Sequence, residues 1–299
     1  MRHRRAQSAT SHRAVDGGVT AAQKQQFFEQ GFLQLPGYLS TDAADTVNRA
    51  VDRAWDDKSI YNPLTVSAFT GTANYTETYL REAPAGTRDA GYKLNHLYLY
   101  DHSTMELLLG DRVQQLVSEL IDGTPLLFNG LNLEYGSGQR FHNDTLYMPP
   151  RVSDKMVVVW FALEDITVAA GALRYYPKSH LIPPYVFSHG EIWALNDEMP
   201  AFDRYMDEQL SRRELVSECF EAKKGDAFVW HSQLYHGGSP ILDENLTRRS
   251  MVAHFWRSED VPAEWRWEAR PQRFILDPRW MSVATSFASN GYSVSATTA

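Results

Sequence analysis

The β character of this chain is clearest in residues 141–180, FHNDTLYMPPRVSDKMVVVWFALEDITVAAGALRYYPKSH. Residues 156–163 within it form a continuous apolar run of strand length, typical of a strand buried on both faces. A turn at Gly171 follows, and residues 172–176 are again rich in strand-forming side chains. The segment therefore predicts two strands, with polar and ionisable residues at their ends.

The same pattern extends to both sides of this segment. Short β-rich runs, separated by turn residues, occur at 126–134, 216–222, 227–230 and 250–256. A hairpin-like turn, Lys224-Gly225-Asp226, separates two of these runs. Strands do not alternate with helices in this half of the chain, which favours a sandwich or barrel over a parallel α/β sheet.

The front of the chain has helical periodicity instead. We expect helices over residues 20–31, from Ser40 or Thr41 to about 57, and over 111–122. Residues 58–92 show no clear period and are predicted to be a long loop. Residues 181–213 are predicted to be an insertion between strands. Either segment is a candidate lid over a substrate pocket.

Composition limits the class of protein. The chain has 299 residues, a formal net charge of −8 and one cysteine. Because the chain is acidic and has no basic block, we do not expect it to bind nucleic acid. No run of apolar residues approaches the ~18 that a membrane-spanning helix needs, so we expect no membrane partner. A single cysteine allows no internal disulfide and fits a cytoplasmic location. We expect a disordered tail over 1–18 and a single domain over 19–299.

Three short motifs carry the chemistry. His142 and Asp144 are two residues apart, so on an extended chain they project to one side. His236 begins a His-Gly-Gly sequence, and Arg248 and Ser250 share one face of a predicted strand. Taken one at a time, each motif has a structural explanation. His142 and Asp144 fit a histidine at a strand end and a capping aspartate, and Arg248 fits an internal salt bridge. Together, two histidines and a carboxylate are typical of non-haem Fe(II) sites, and an inward arginine suits a bound dicarboxylate.

The sequence resembles the phytanoyl-CoA dioxygenase-like family of Fe(II)- and 2-oxoglutarate-dependent oxygenases from about Lys93 to Phe255. Residues 141–180 and the distal block FVWHSQLYHGGSP carry the resemblance most strongly. The family elements present are His142, Asp144, Trp160, Glu164, Ile166, Gly171, Pro177 and His180. The resemblance implies a mainly β fold with flanking helices, a double-stranded β-helix of the jelly-roll, cupin-like type.

The resemblance also implies roles for individual residues. The metal ligands and catalytic centre would be His142, Asp144 and His236, the later histidine of the distal block rather than His231. Arg248 would bind the distal carboxylate of 2-oxoglutarate. Further contacts with this co-substrate are expected from Lys93, Trp160, Asn132 and Asn143. Many family members have His-Gly-Ser where this chain has His-Gly-Gly, and either Ser250 or Ser239 would replace that serine.

The function implied is a dioxygenase that uses Fe(II), 2-oxoglutarate and O2. It would hydroxylate an unactivated C–H bond of a small-molecule metabolite and release succinate and CO2. Asp144 favours this outcome over halogenation, because related halogenases have Gly or Ala at that position. The alternative is a cupin-type protein that binds a metal or a small molecule without catalysis, or without 2-oxoglutarate. The sequence does not predict the oligomeric state.

Overall fold

The computed structural model describes residues 18–69, 75–152 and 154–278. The expected tail over 1–18 lies outside these residues except for Gly18. The helices of the described residues are α1 (Ala21–Gln30), α2 (Thr41–Asp56), α3 (His102–Leu108), α4 (Asp111–Ile121) and α5 (Met199–Arg212). The strands are β1 (Phe32–Leu35), β2 (Thr65–Phe69), β3 (Tyr75–Tyr79), β4 (Tyr92–Asn95), β5 (Pro125–Leu133), β6 (Met156–Ala162), β7 (Leu173–Tyr175), β8 (Glu218–Phe220), β9 (Ala227–His231), β10 (His236–Gly238), β11 (Ser250–Arg257), β12 (Arg266–Arg270) and β13 (Arg273–Leu276).

Two sheets face each other. The larger has the order β1-β9-β6-β11-β5-β4-β2-β3, and β13 adds to it by a parallel pairing with β5. The smaller has the order β10-β7-β8, and an isolated bridge between His142 and His236 extends it by one position. This is the expected jelly roll, mainly β with helices packed on one face of the larger sheet.

Strand β11 shows how the sheet separates two environments. Successive residues of a strand point to opposite faces. Met251 and Phe255 belong to the core shared with the helices, whereas Val252 packs with Trp160 in the core between the sheets. The register pairs Val252 directly with Trp160. The interior of the jelly roll is therefore lined by Ser250, Val252 and the residues that alternate with them.

Helices α1 and α2 begin at the residues that the sequence predicts, and α1 also ends there. Thr20 and Gln23 form a capping box at the start of α1, and Gly31 ends that helix with a φ of 87°. The side chain of Ser40 caps α2. No helix of the described segments is long and apolar enough to cross a membrane.

The prediction of a long loop over residues 58–92 is wrong. It contains β2, β3 and the first residue of β4, and these strands extend the large sheet at its edge. The Thr- and Tyr-rich composition suits strands, but the order comes from pairing with β4, which in turn pairs with β5. That long-range pairing leaves no periodic signal in the segment itself.

An ion network ties α2 to the sheet beside the interior. The guanidinium groups of Arg88 and Arg249 both contact the carboxylates of Asp52 and Glu134, and Tyr92 donates a hydrogen bond to Glu134 at 3.0 Å. Burial opposes the ionisation of Glu134, but the hydrogen bond from Arg88 and the charge of Arg249 outweigh it and hold its pKa below the usual value. The network fixes the end of β5 and the residue that follows Arg248.

We predict that Glu134→Gln lowers the free energy of unfolding by about 2–3 kcal/mol, because two partly buried guanidinium groups lose their shared carboxylate. The loss is measured by urea unfolding at neutral pH. It shrinks as the pH falls through the lowered pKa of Glu134, since a carboxylate with a depressed pKa stabilises the fold only while it is ionised.

The matched control is Asp165→Asn. It removes an exposed ion pair with Lys223 and should change stability far less than Glu134→Gln, because solvent screens such a pair. Equal losses in the two variants would contradict the role assigned to the network.

Candidate active site

The two histidines of the site are brought together by the backbone. His142 follows β5 in the chain, and His236 begins β10. Each donates its backbone N–H to the carbonyl of the other, at 2.8 and 3.0 Å. This paired bridge places the two imidazole rings 4.5 Å apart, and both side chains are buried. Two strand-type hydrogen bonds thus bring together two residues that are nearly a hundred positions apart in the sequence.

Asp144 completes a cluster of three ligand groups. Its Oδ1 lies 3.7 Å from Nε2 of His142 and 3.8 Å from Nε2 of His236. The three groups have ligand atoms within 4.8 Å of one another. The indole N–H of Trp230 donates to Oδ2 of Asp144 at 2.7 Å. This hydrogen bond occupies one carboxylate oxygen and leaves the other directed at the histidines.

The backbone also selects the tautomer of each histidine. Nδ1 of His142 is 2.8 Å from the carbonyl of Arg140, and Nδ1 of His236 is 2.9 Å from that of Leu234. A carbonyl only accepts hydrogen bonds, so each Nδ1 carries the proton and each Nε2 presents a lone pair. Burial, reinforced by the neighbouring His236, lowers the pKa of His142 to about 3. The residues present fit a metal ion with nitrogen and carboxylate ligands and open positions.

Gln139 and Lys93 border the cluster. The side-chain amide of Gln139 lies 3.2 Å from Nε2 of His142, the atom that a metal would use. Nζ of Lys93 donates to Oε1 of Gln139 at 3.4 Å. A metal ion bound to His142 must displace the Gln139 contact. Lys93, expected near the co-substrate, therefore reaches this site through Gln139.

Arg248 is buried, with 4 % of its surface exposed, and has no carboxylate partner among the described residues. Its Nη1 donates to the carbonyl of Gly171 at 2.7 Å, while its Nε has no hydrogen-bond partner. Burial lowers the pKa of Arg248 to about 10, which leaves it cationic at neutral pH. The internal salt bridge considered for Arg248 belongs to its neighbour Arg249. A buried cation without a counter-ion is costly, so this position favours an anionic ligand.

Polar groups without partners surround this guanidinium. The Trp160 ring lies 5.9 Å from it, and the indole N–H of Trp160 and the hydroxyl of Ser250 lack hydrogen-bond partners in the described structure. Buried polar groups are normally hydrogen-bonded. These orphaned groups, together with Arg248, fit the carboxylate of a bound co-substrate such as 2-oxoglutarate.

The two serines expected to replace the family serine differ in whether they face the interior between the sheets. Ser250 pairs with Ala162 on β6 and lies two residues before Val252, on the interior face. Ser239 has its hydroxyl 3.2 Å from the thiol of Cys219, which is exposed. Of the two, Ser250 is the one on the interior face.

The His-Gly-Gly sequence has a steric cause. A Cβ atom at Gly238 would lie 3.0 Å from the backbone nitrogen of Gly138 and 3.1 Å from Oγ of Ser137. At Gly237 it would lie 2.9 Å from the carbonyl of Gln139. The loop that carries Gln139 packs against these glycines, and a serine at 238 would push it away.

Two predicted contacts are not brought to the site. Asn132 pairs with Leu94 and Met251, which face the helices, and so lies on the opposite face of the sheet from Ser250. Asn143 donates to the carbonyl of Gln233 at 2.7 Å and points away from its two neighbours in the motif. The register places Asn132 on the face opposite Ser250, and the contacts of both residues with a co-substrate stay predictions.

Three residues beside the site were not singled out by the sequence analysis. They are Gln139, Trp230 and His254. Nε2 of His254 lies 3.8 Å from Oδ1 of Asp144, and its Nδ1 lies 3.3 Å from the amide nitrogen of Asn129. Counting alternate residues along β11 from Ser250 would have placed His254 on the interior face.

The insertion over 181–213 forms a small core of its own against the site segment. Helix α5 contributes Phe202 and Met206, which cluster with Leu146 and Tyr235. These two partners follow Asp144 and precede His236 closely in the chain. The insertion thus covers the segments that carry the ligands, and its role as a lid stays a prediction.

Comparison with known proteins gives one family. The family model described as phytanoyl-CoA dioxygenase (PhyH) matches residues 27–250. The peroxisomal phytanoyl-CoA dioxygenase of Homo sapiens is 30% identical over 116 residues, which cover 38% of this chain and 32% of that protein. The alignment therefore spans about a third of this relative.

Solved structures show the same fold. The epimerase SnoN, in complex with Fe3+, alpha ketoglutarate and nogalamycin RO, has a TM-score of 0.60 at 17% identity, covering 85% of this chain and 97% of that one. The carbocyclase SnoK from nogalamycin biosynthesis also reaches 0.60, at 14% identity, covering 80% of this chain and 85% of that one. EctD from S. alaskensis, with 2-oxoglutarate and 5-hydroxyectoine, reaches 0.59 at 13% identity, covering 84% and 80%.

We predict that Trp230→Phe weakens Fe(II) binding about tenfold while the protein stays folded. The variant removes the hydrogen bond that orients Asp144, and loss of a ligand's hydrogen-bond partner typically costs 10–100-fold in metal affinity. The measurement is an anaerobic calorimetric titration with Fe(II).

Trp160→Phe is the matched control, because its indole N–H also faces the interior but contacts no ligand. It should leave Fe(II) affinity unchanged in the absence of 2-oxoglutarate. Unchanged affinity in Trp230→Phe would show that Asp144 needs no orientation by the indole.

Proposed function

The chain belongs to the phytanoyl-CoA dioxygenase family, and from this premise we propose that it is an Fe(II)- and 2-oxoglutarate-dependent oxygenase. The proposed reaction hydroxylates an unactivated C–H bond of a small-molecule metabolite and releases succinate and CO2. The observation that carries the proposal is a buried two-histidine, one-carboxylate cluster in the same interior as a buried arginine that lacks a carboxylate partner in the described structure. A metal-binding cupin without 2-oxoglutarate would have no need of that arginine.

His142, Asp144 and His236 hold the metal. Both imidazoles are neutral donors fixed by backbone carbonyls, and the Asp144 carboxylate is ionised. Burial opposes ionisation of Asp144, but the surrounding histidines, His236 first, hold its pKa far below the usual value. The site therefore needs no proton release from its ligands before it binds a divalent cation.

Arg248 binds the distal carboxylate of 2-oxoglutarate. Its free Nε and the orphaned donors of Trp160 and Ser250 supply hydrogen bonds to that carboxylate. The carbonyl of Gly171 fixes the guanidinium in place before the co-substrate arrives. These contacts would hold the distal carboxylate of 2-oxoglutarate in one position.

When bound, Fe(II) supplies the centre at which O2 and 2-oxoglutarate react to give an oxidant for the substrate. The residues of the chain determine which reaction follows. Asp144 occupies a position that a halide would need, so hydroxylation is proposed over halogenation. His254 lies beside Asp144 on the interior face of β11, where a bound substrate would meet its imidazole.

The substrate proposed is a small molecule. Among the structural neighbours, SnoN was solved with nogalamycin RO and EctD with 5-hydroxyectoine, both small organic compounds. The interior of this jelly roll, enclosed by two sheets and the 181–213 insertion, suits a ligand of that class better than a macromolecule.

We predict that Arg248→Met lowers the affinity for 2-oxoglutarate at least about 100-fold, since the buried partner of its carboxylate is lost. Fe(II) affinity should be unchanged, because Arg248 is not a ligand. Anaerobic titration calorimetry measures both affinities. In air with Fe(II), wild-type protein should release succinate from 2-oxoglutarate, and the variant should not.

Arg204→Met is the control, since it removes an exposed arginine of α5. It should match wild type in both titrations. Tight binding of 2-oxoglutarate by Arg248→Met, or no succinate from wild-type protein that has bound iron, would contradict the proposed function.

A further inference from the structure

A cavity lies at the end of β11 that carries Trp256, and none of the three proposed metal ligands lines it. Its volume is about 190 Å³. The rings of Trp256 and Trp265 form part of its wall, together with Pro149, Pro150 and Pro262. A dry cavity of about 150 Å³ is large enough to hold a benzene molecule. This one therefore has room for a single ring, or a short branched chain, with a substituent.

The cavity adjoins the candidate active site but does not include its ligands. His254 and Trp256 are two residues apart on β11, so they lie about 7 Å apart along the strand. Phe128 stacks on Trp256 with ring centroids 3.9 Å apart, and lies 6.0 Å from the ring of His254. The stacked rings of Phe128 and Trp256 therefore lie between the cavity and the imidazole of His254.

The charged residues of the cavity wall are mostly cationic. Arg257 is neutralised by two hydrogen bonds to Asp260, at 2.7 and 2.8 Å. Arg151 has no ion pair with any residue that the structure describes. Nζ of Lys155 lies 3.9 Å from the exposed Asp154, although the Lys155 side chain is only 19% exposed. The excess positive charge stands out in a chain whose formal net charge is −8.

We propose that this cavity binds a small molecule that joins an apolar ring or branched chain to an anionic group such as a carboxylate. The indole and proline surfaces take the apolar part, and Lys155 and Arg151 attract the anion. This site goes beyond the proposed function, because it uses none of the metal or co-substrate residues.

The test uses phenylacetate as the probe, with the full chain and saturating 2-oxoglutarate so that Arg248 is not available to the probe. Phenylacetamide has the same shape without the charge, and acetate has the charge without the ring. Titration calorimetry should show saturable, one-site binding of phenylacetate. Binding of phenylacetamide should be about tenfold weaker, the ratio expected for a lost hydrogen bond to a charged group.

Two variants locate the site. Trp265→Ala and Lys155→Met should each weaken phenylacetate binding about tenfold. Trp267→Ala is the control, since Trp267 is 52% exposed and does not line the cavity. Absence of saturable binding, equal affinity for phenylacetamide, or an equal loss in Trp267→Ala would overturn the proposal. None of these results bears on iron or 2-oxoglutarate binding, which are measured separately.

Discussion

Strand β11 is hydrogen-bonded to β5 on one side and to β6 on the other, and the rest of the structure depends on this double pairing. Because successive residues of β11 point to opposite faces, one face packs against the helices and the other faces the interior between the two sheets. Arg248, just before the strand, and Ser250 and His254 within it lie at successive positions along that interior. A shift of one residue would turn all of them toward the helices.

The cluster of His142, Asp144 and His236 depends on a second, smaller constraint. The backbone bridge between His142 and His236 brings distant parts of the chain into contact, and backbone carbonyls then fix both imidazole tautomers. Trp230 fixes the carboxylate of Asp144 from β9 of the large sheet. The cluster is therefore held from both sheets at once. Preorganisation of this kind lets three buried polar side chains face one point before any ion binds.

The sequence singled out the three side chains that the fold brings together, but not their surroundings. His142, Asp144 and His236 stand in a recognisable order, and Arg248 follows at a position that the family resemblance identifies. Trp230 and Gln139 carry no motif, because their roles arise from packing between sheets. The contacts expected of Asn132 and Asn143 stay predictions, since a side chain in extended backbone reverses its direction with a shift of one residue.

We propose that His142, Asp144 and His236 bind Fe(II) and leave room for 2-oxoglutarate beside Arg248. The most direct test of this proposal is the anaerobic absorption spectrum of the protein with Fe(II), before and after 2-oxoglutarate is added. The expected result is a visible charge-transfer band that requires both additions and is absent in Asp144→Ala. Iron binding without such a band in wild-type protein would contradict it.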